Sequence, residues 1–525
     1  MGLKIMESRF SQYRSDPSLN EIASFSLDYS YEPLAKLVLA AKDEKNEEIY
    51  RHLLIAKMLS DIDPNMEALL GDKYYQGLGV TKDIEKATSL FQHAESRGSI
   101  RARYDLGWLY YDNGNFRRAI DEFTFCVGHQ DFFDEWKVGQ SYSSLGDSYS
   151  KISDPQWYQA VEYLSIAADK YKRAFACRRL GQIYSDDSTK IKDIRKAIAY
   201  YELGASLGDK VCVHELAQTY MFGESEIGRR IDFRRAEELL LPYQYDNPPD
   251  INILDALAYI YMNGDSEKGV SRDLEKAKSF FERSWQICQT SYVAANLGYT
   301  YYCLDEYMNA EKMLLFASQR GNTSFSDFLG RIYKNGYVGS PDIYRARRYY
   351  EESFRNGSIN NVFCLIEYID VLIELGEYND AFDAATQGLQ DYNDVQFEFI
   401  RAKLVLEGKV YKMDLSEAAE LMEDVCTYSG YEDDGHRILG EYYSNNRQYM
   451  RAIRHFTASF EKGNADAAVM IGRLYERGDG SLGLDQDTAY SWYLKAANAG
   501  SELGKQEVQC FRSGFFGGYK RYRSL

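Results

Sequence analysis

Proline is scarce in this sequence, at 8 of 525 residues. That scarcity removes the commonest helix breaker and permits long helical stretches. Sustained alternation of apolar and β-branched residues is also missing, so no strand is expected. No run of roughly 18 apolar residues occurs, so no membrane span is expected. Met1 to Arg14 lacks a charged segment followed by an apolar core, so no secretory signal is expected. The sequence opens Met-Gly, but Met6 stands where myristoylation wants Ser or Thr.

Patterns that carry chemistry are missing too. The cysteines, Cys126, Cys177, Cys212, Cys288, Cys303, Cys364, Cys426 and Cys510, form no C-x-x-C pair. They read as small apolar residues in a reducing cytosol, and a cytoplasmic location is expected. His52, His93, His129, His214, His436 and His455 show no metal-ligand spacing. Two partial matches fail on context. Gly478-Asp-Gly480-Ser-Leu-Gly483 fits G-x-G-x-x-G, but it follows a helix rather than a strand. Ser148-Tyr-Ser-Lys151 fits the S-x-x-K of serine β-lactamases, but S-D-N and K-T-G companions are missing. No cofactor, metal site or catalysis is therefore expected, although a hydrolase site assembled across distant residues stays open. The net charge of −18 argues against a surface that tracks nucleic-acid phosphates.

What is present is a repeat. A polar residue, two variable residues, a polar or basic residue and then Ala recur. Asp83-Ile-Glu-Lys-Ala87, Asp193-Ile-Arg-Lys-Ala197, Asp232-Phe-Arg-Arg-Ala236, Asp273-Leu-Glu-Lys-Ala277 and Asp342-Ile-Tyr-Arg-Ala346 are the clearest copies. Looser ones end at Ala119, Ala160, Ala310, Ala381, Ala418, Ala452 and Ala489, with spacings of 32 to 41 residues. A second anchor, Leu-Gly-x-x-Tyr, precedes most of them. Leu70-Gly71 with Tyr74, Leu329-Gly330 with Tyr333 and Leu439-Gly440 with Tyr443 are examples, and Ala217 and Ala258 replace Gly in two units.

The physics of one unit follows. Leu, Gly and Tyr mark the first helix, and Gly costs roughly 1 kcal/mol of propensity there. That cost makes sense if a second helix passes close to its backbone. The Asp caps the second helix, and Ala faces the first. No pair buries its apolar face alone, so neighbours must stack. The fold class is all-α: a superhelical α/α solenoid of about twelve antiparallel helix pairs.

This pattern resembles the Sel-one-like repeat (SLR) family, cousins of tetratricopeptide repeats. Ala68 to Gly98 and Ala467 to Gly500 carry the resemblance best, and it extends over about residues 67–504. Units near Phe116, Tyr307, Tyr378 and Tyr449 depart from it with short, tetratricopeptide-like loops, and 361–430 is the most degenerate stretch. Residues 1–66 read as a helical cap or worn repeat, with helices at Leu34–Ala41 and Ile49–Leu59. Residues 505–525 read as a helix end and a basic aromatic tail. The resemblance implies a scaffold or adaptor for complexes in signalling, protein quality control or cell-surface polymer production. Some relatives have been described as binding β-lactams.

Three features are candidates for binding. Tyrosine is abundant, at 46, and often paired, as in Tyr349-Tyr350. Adjacent helical residues point about 100° apart, so one of a pair can pack while the other faces solvent. Arg229, Arg230, Arg234 and Arg235 form one basic cluster, and Arg345, Arg347 and Arg348 another. Each reads either as a dock for an acidic protein segment or as a solvated face. The tail holds Arg512, Tyr519, Lys520, Arg521, Tyr522 and Arg523. It reads as a docking peptide for an acidic partner or membrane surface, as a segment binding back onto the protein's own acidic solenoid, or as a frayed end. The partners expected are one or more proteins. A carbohydrate or cell-surface-polymer ligand stacked on tyrosine is the alternative, and the oligomeric state stays open.

Overall fold

The computed structural model describes residues 56, 60–61, 63–78, 80–357, 362–478, 482–513 and 518–522. They fall into two units, Met1–Asp273 and Leu274–Leu525. The helices expected at Leu34–Ala41 and Ile49–Leu59 lie outside the described residues, except Ala56, which is helical and buried.

The first unit runs α1 (Pro64–Gln76), α2 (Ile84–Ser96), α3 (Ile100–Asp112), α4 (Phe116–Gly128), α5 (Glu135–Lys151) and α6 (Trp157–Asp169). It continues α7 (Ala174–Ser185), α8 (Ile194–Ser206), α9 (Lys210–Phe222), α10 (Phe233–Leu240) and α11 (Ile251–Met262). The second unit opens with α12 (Leu274–Ile287), α13 (Ser291–Cys303), α14 (Tyr307–Gln319), α15 (Ser326–Asn335), α16 (Ile343–Arg355) and α17 (Val362–Glu374). It continues α18 (Tyr378–Tyr392), α19 (Val395–Leu406), α20 (Leu415–Val425), α21 (Glu432–Asn445) and α22 (Tyr449–Glu461). Then come α23 (Ala465–Arg477), α24 (Gln486–Asn498), α25 (Glu502–Val508), β1 (Phe511–Ser513) and β2 (Tyr519–Arg521). Within the first unit α1 to α10 form consecutive pairs, and within the second α13 to α24 do.

Each anchor has a visible job. Asp83, Asp193, Asp232, Asp342 and Asp485 cap their second helices by accepting the backbone N–H three residues on, at 2.9–3.1 Å. The backbone N–H of the same aspartates closes the pair onto a first-helix tyrosine carbonyl. Asp83 bonds Tyr74, Asp342 bonds Tyr333 and Asp485 bonds Tyr475, at 2.8–3.0 Å. The repeat alanines, such as Ala87, Ala197, Ala346 and Ala489, are buried to within 1%. The four short-loop units have connections of three residues, 113–115, 304–306, 375–377 and 446–448.

The first-helix glycine makes room for a side chain rather than for the partner backbone alone. A Cβ on Gly71 would stand 2.7 Å from the Phe91 ring, and one on Gly330 2.8 Å from the Tyr350 ring. Phe91, Phe123, Leu164, Tyr201, Leu314, Tyr350, Phe456 and Tyr493 each lie four residues after a repeat Ala, one helical turn on. They are buried and fill the pair's centre.

Two expectations change. Tyr349 and Tyr350 are both buried, at 7% and 0%. Tyr350 sits over Gly330, and Tyr349 stacks on Tyr333 with centroids 5.6 Å apart. Adjacent positions thus serve two contacts within one core. The C-terminus is not strand-free, since β1 and β2 pair antiparallel. Strands of three residues are too short for alternation to be read from sequence.

Candidate interaction surface

The arginine clusters are largely consumed inside the fold. Arg229 donates to Thr219 Oγ1 at 2.9 Å and lies 4.4 Å from the Tyr220 ring centroid. Arg234 donates to the Gly269 carbonyl at 3.2 Å, and Arg235 to Glu238 at 3.1 Å. Arg230 is exposed. In the second cluster, Arg345 lies 3.3 Å from its cap, Asp342. Arg347 pairs with Glu351 and donates to Glu377 at 2.9 Å, tying α16 to the start of α18. Arg348 lies over the Tyr349 ring. Neither cluster gathers its guanidinium groups into one site.

Two clefts border these residues. In the first unit, Pro242 follows α10 in a short 3-10 turn, and α10 has only eight residues. A cleft of about 490 Å³ there is floored by Leu216 and Leu239 and edged by Arg235. In the second unit, α14 and α16 flank one of about 510 Å³ holding Arg348, Arg355, Glu351 and Glu352. Both are shallow, and half of the residues lining the second are charged.

A third cleft, about 500 Å³, lies against α1, α3 and α5, walled by Tyr104, Phe132 and Phe133. Arg101 lines it, with Nε 3.4 Å from Asp105 Oδ2. Burial lifts the Asp105 carboxyl to about 7, with Arg101 opposing and Asp72 adding to the rise.

Sequence reasoning missed a partly open aromatic surface. On the second unit, the Tyr299 ring stacks on Phe325 with centroids 4.8 Å apart and meets Phe328 at 4.9 Å. The Arg331 guanidinium lies between Phe328 and Phe363, 5.1 and 5.2 Å from their centroids. Glu367 holds it at 2.6 Å. Phe363 is 63% exposed, and Tyr292, two turns before Tyr299, is 48% exposed. These residues sit on three successive first helices, α13, α15 and α17, and on the turn before α15. The spacing Tyr292 to Tyr299 is a same-face signal. It was masked by a chain rich in tyrosine everywhere.

The serine of the S-x-x-K match is buried, and its lysine is exposed. The Ser148 hydroxyl, 0% exposed, donates to the Ser144 carbonyl at 2.7 Å, and Lys151 lies 2.8 Å from Asp147. Asp147 itself joins three first helices. It receives the Tyr111 hydroxyl from α3 and Arg179 Nε from α7, the latter at 2.5 Å. Burial alone would raise its carboxyl, but Arg179, Lys151 and Tyr111 hold it below the usual range. Gly478 of the G-x-G-x-x-G match ends α23 in the left-handed region, and Asp479 to Ser481 lie outside the described residues.

The tail folds back. Arg521 pairs with Glu476 and Glu507, and Tyr519 stacks on Tyr490 with centroids 3.6 Å apart. The Tyr519 N–H donates to Asp487, and Gly518 permits this approach, since a Cβ there would stand 2.9 Å from that carboxylate. Tyr522 returns to the body through its N–H on Cys510 and its hydroxyl on Gln509, both at 2.9 Å. Lys520 is exposed, and Arg523 lies outside the described residues.

Stacked helix pairs joined by capped turns define an α/α solenoid repeat protein. The chain carries Sel1 repeats: the Sel1 repeat family model matches residues 64–99, 174–209, 255–284, 328–358 and 465–501. A sel1-like repeat-containing protein, L21, of Acanthamoeba polyphaga mimivirus is 24% identical over 137 residues, covering 25% of this chain and 24% of that one. An F-box protein of Arabidopsis thaliana is 28% identical over 165 residues, covering 30% and 44%. The chain thus spans less than half the length of either relative. The crystal structure of c5321, a protective antigen of uropathogenic Escherichia coli with an SLR fold, aligns with TM-score 0.58 and 20% identity. That alignment covers 87% of this chain and 89% of the antigen, and it establishes the shared fold. Among the described residues, no helix is long and apolar enough to cross a membrane.

Proposed function

We propose that this chain is a non-enzymatic scaffold that binds a peptide or helix of another protein along the first-helix face of its second unit. One observation carries the reading: the aromatic row of Tyr292, Tyr299, Phe325, Phe328 and Phe363, left partly open on successive repeats. Rigid aromatic rings that cost little entropy to fix are the usual anchors of protein interfaces. Arg331, held flat between two of them, adds a guanidinium plane at the centre. Sel1 repeats generally mediate protein–protein interaction, which fits this use. A cytoplasmic location accords with eight free cysteines, six of them buried.

The test is crosslinking of the tagged protein in its native host, followed by mass spectrometry. Reproducible partners whose crosslinks map to α13, α15 and α17, and which Tyr292→Ala/Phe363→Ala loses, support the reading. Both substituted side chains are exposed, so the fold should survive. A glycan array addresses the other ligand class that stacks on aromatics. Saturable sugar binding lost in the same variant would move the assignment to carbohydrate.

A further inference from the structure

The C-terminal hairpin has two faces of different chemistry. β1 and β2 pair with Phe511 opposite Arg521, Arg512 opposite Lys520 and Ser513 opposite Tyr519. Side chains alternate along a strand, so the first and last pairs share one face and the middle pair takes the other. The shared face meets the body. Phe511 packs on Tyr490 and Tyr493, Tyr519 on Tyr490, and Arg521 reaches Glu476 and Glu507. The middle pair, Arg512 and Lys520, points away and is exposed. Among the described residues neither meets a carboxylate. Arg512 instead lies over the Tyr522 ring, 3.9 Å from its centroid.

That placement is unusual. Directly opposed like charges weaken a two-stranded ribbon. The chain has 80 acidic residues against 62 basic ones, and the acids beneath the hairpin are already engaged by Arg521 and by the Tyr519 N–H. Among the described residues no carboxylate relieves the outer pair, and an external anion is a natural counterpart.

We propose that Arg512, Lys520 and Tyr522 form a docking site for an acidic peptide segment of a partner protein. The guanidinium, kept planar on the Tyr522 ring, takes one carboxylate in fork geometry, and Lys520 takes the next as a point charge. Opposed Cα atoms in such a hairpin lie about 5 Å apart. Acidic residues at alternate positions of an extended segment lie about 7 Å apart on one face, a difference that the long Arg and Lys side chains span by splaying. A planar anionic membrane fits less well. It would bring the body, of net charge −18, within a Debye length, about 8 Å, of like charge. The site deepens the scaffold reading and rests on it only in taking the partner to be a protein.

The test uses the full chain and a fluorescein-labelled peptide of alternating Glu and Ser, read by fluorescence anisotropy at low and physiological ionic strength. Saturable binding is expected, weakened at least about tenfold, or roughly 1.4 kcal/mol, by Arg512→Gln/Lys520→Gln. The exposed Arg195→Gln should leave it unchanged. The double variant should melt no lower than the wild type, because it removes a repulsion and no internal ion pair. Equal peptide binding by wild type and double variant overturns the proposal. So does a wild type that ignores the peptide, or one that binds phosphatidylserine vesicles instead. Partners crosslinked in the host by both proteins alike would leave the scaffold standing and remove the hairpin site alone.

Discussion

Gly330 of α15 lies beneath the ring of Tyr350 of α16, and the ring is fully buried. The two residues are one lock: the glycine supplies the hollow and the tyrosine fills it. Gly330→Ala would press a methyl group to 2.8 Å from the ring. Overpacking of this kind costs about 1–3 kcal/mol, against a helix-propensity gain of about 1 kcal/mol. A net loss of stability is expected in urea unfolding. The variant with the hollow also relaxed, Gly330→Ala/Tyr350→Leu, should recover part of it.

The cap aspartates should behave as a class. Asp342→Ala removes the acceptor for the Arg345 N–H, bonded at 3.0 Å. A loss of about 1 kcal/mol is expected. Gln448 occupies the same position in a short-loop unit without a side-chain cap bond. Gln448→Ala should therefore be nearly silent in the same assay. Equal effects at both positions would mean that the loop, not the cap, sets helix entry.

Much of this architecture was legible in the sequence, and the reason is periodic redundancy. Asp, Ala, Gly and Tyr recur at fixed offsets, so each unit votes for the same local geometry. The large residue four places after Ala in eight units escaped notice because its identity varies among Phe, Tyr and Leu. The basic clusters were legible only as composition, because sequence adjacency does not reveal direction. Arg229 and Arg234 are five residues apart, yet one turns to Thr219 and the other to Gly269. The aromatic row of Tyr299, Phe328 and Phe363 was illegible for the converse reason. Its members are 29 and 35 residues apart and meet only when first helices stack.

Asp147 predicts the largest single loss. It is buried and holds Arg179, Lys151 and Tyr111 from three helices of the first unit. Asp147→Ala leaves those donors, Arg179 above all, facing a void. Breaking a buried pair by removing one partner costs about 3–5 kcal/mol. Thermal unfolding of Asp147→Ala against Arg179→Ala and the double variant measures the coupling. The double variant should be less destabilised than the two single losses added together.

Two partly buried groups give the stability opposite dependences on pH. His436 and His455 touch through their Nδ1 atoms at 3.2 Å. Burial first, then the His436 ring, lowers His455 from 6.5 to about 4, and Glu423 opposes the shift. Burial also lowers His436, with Lys462 adding and Glu432 opposing, and Arg451 and Arg454 face the pair as further cations. The unfolded chain protonates these rings near 6.5 while the fold resists, so stability falls as pH drops from 6.5 towards 4. Asp105 works the other way. Its carboxyl is raised from 3.8 to about 7, so the unfolded chain ionises first and stability is lost as pH rises across that window. Urea unfolding from pH 4 to pH 8 on three proteins separates the two effects. His455→Gln should flatten the loss on the acid side. Asp105→Asn should gain stability relative to wild type as pH rises, and a wild-type profile in both variants would locate the pH dependence elsewhere.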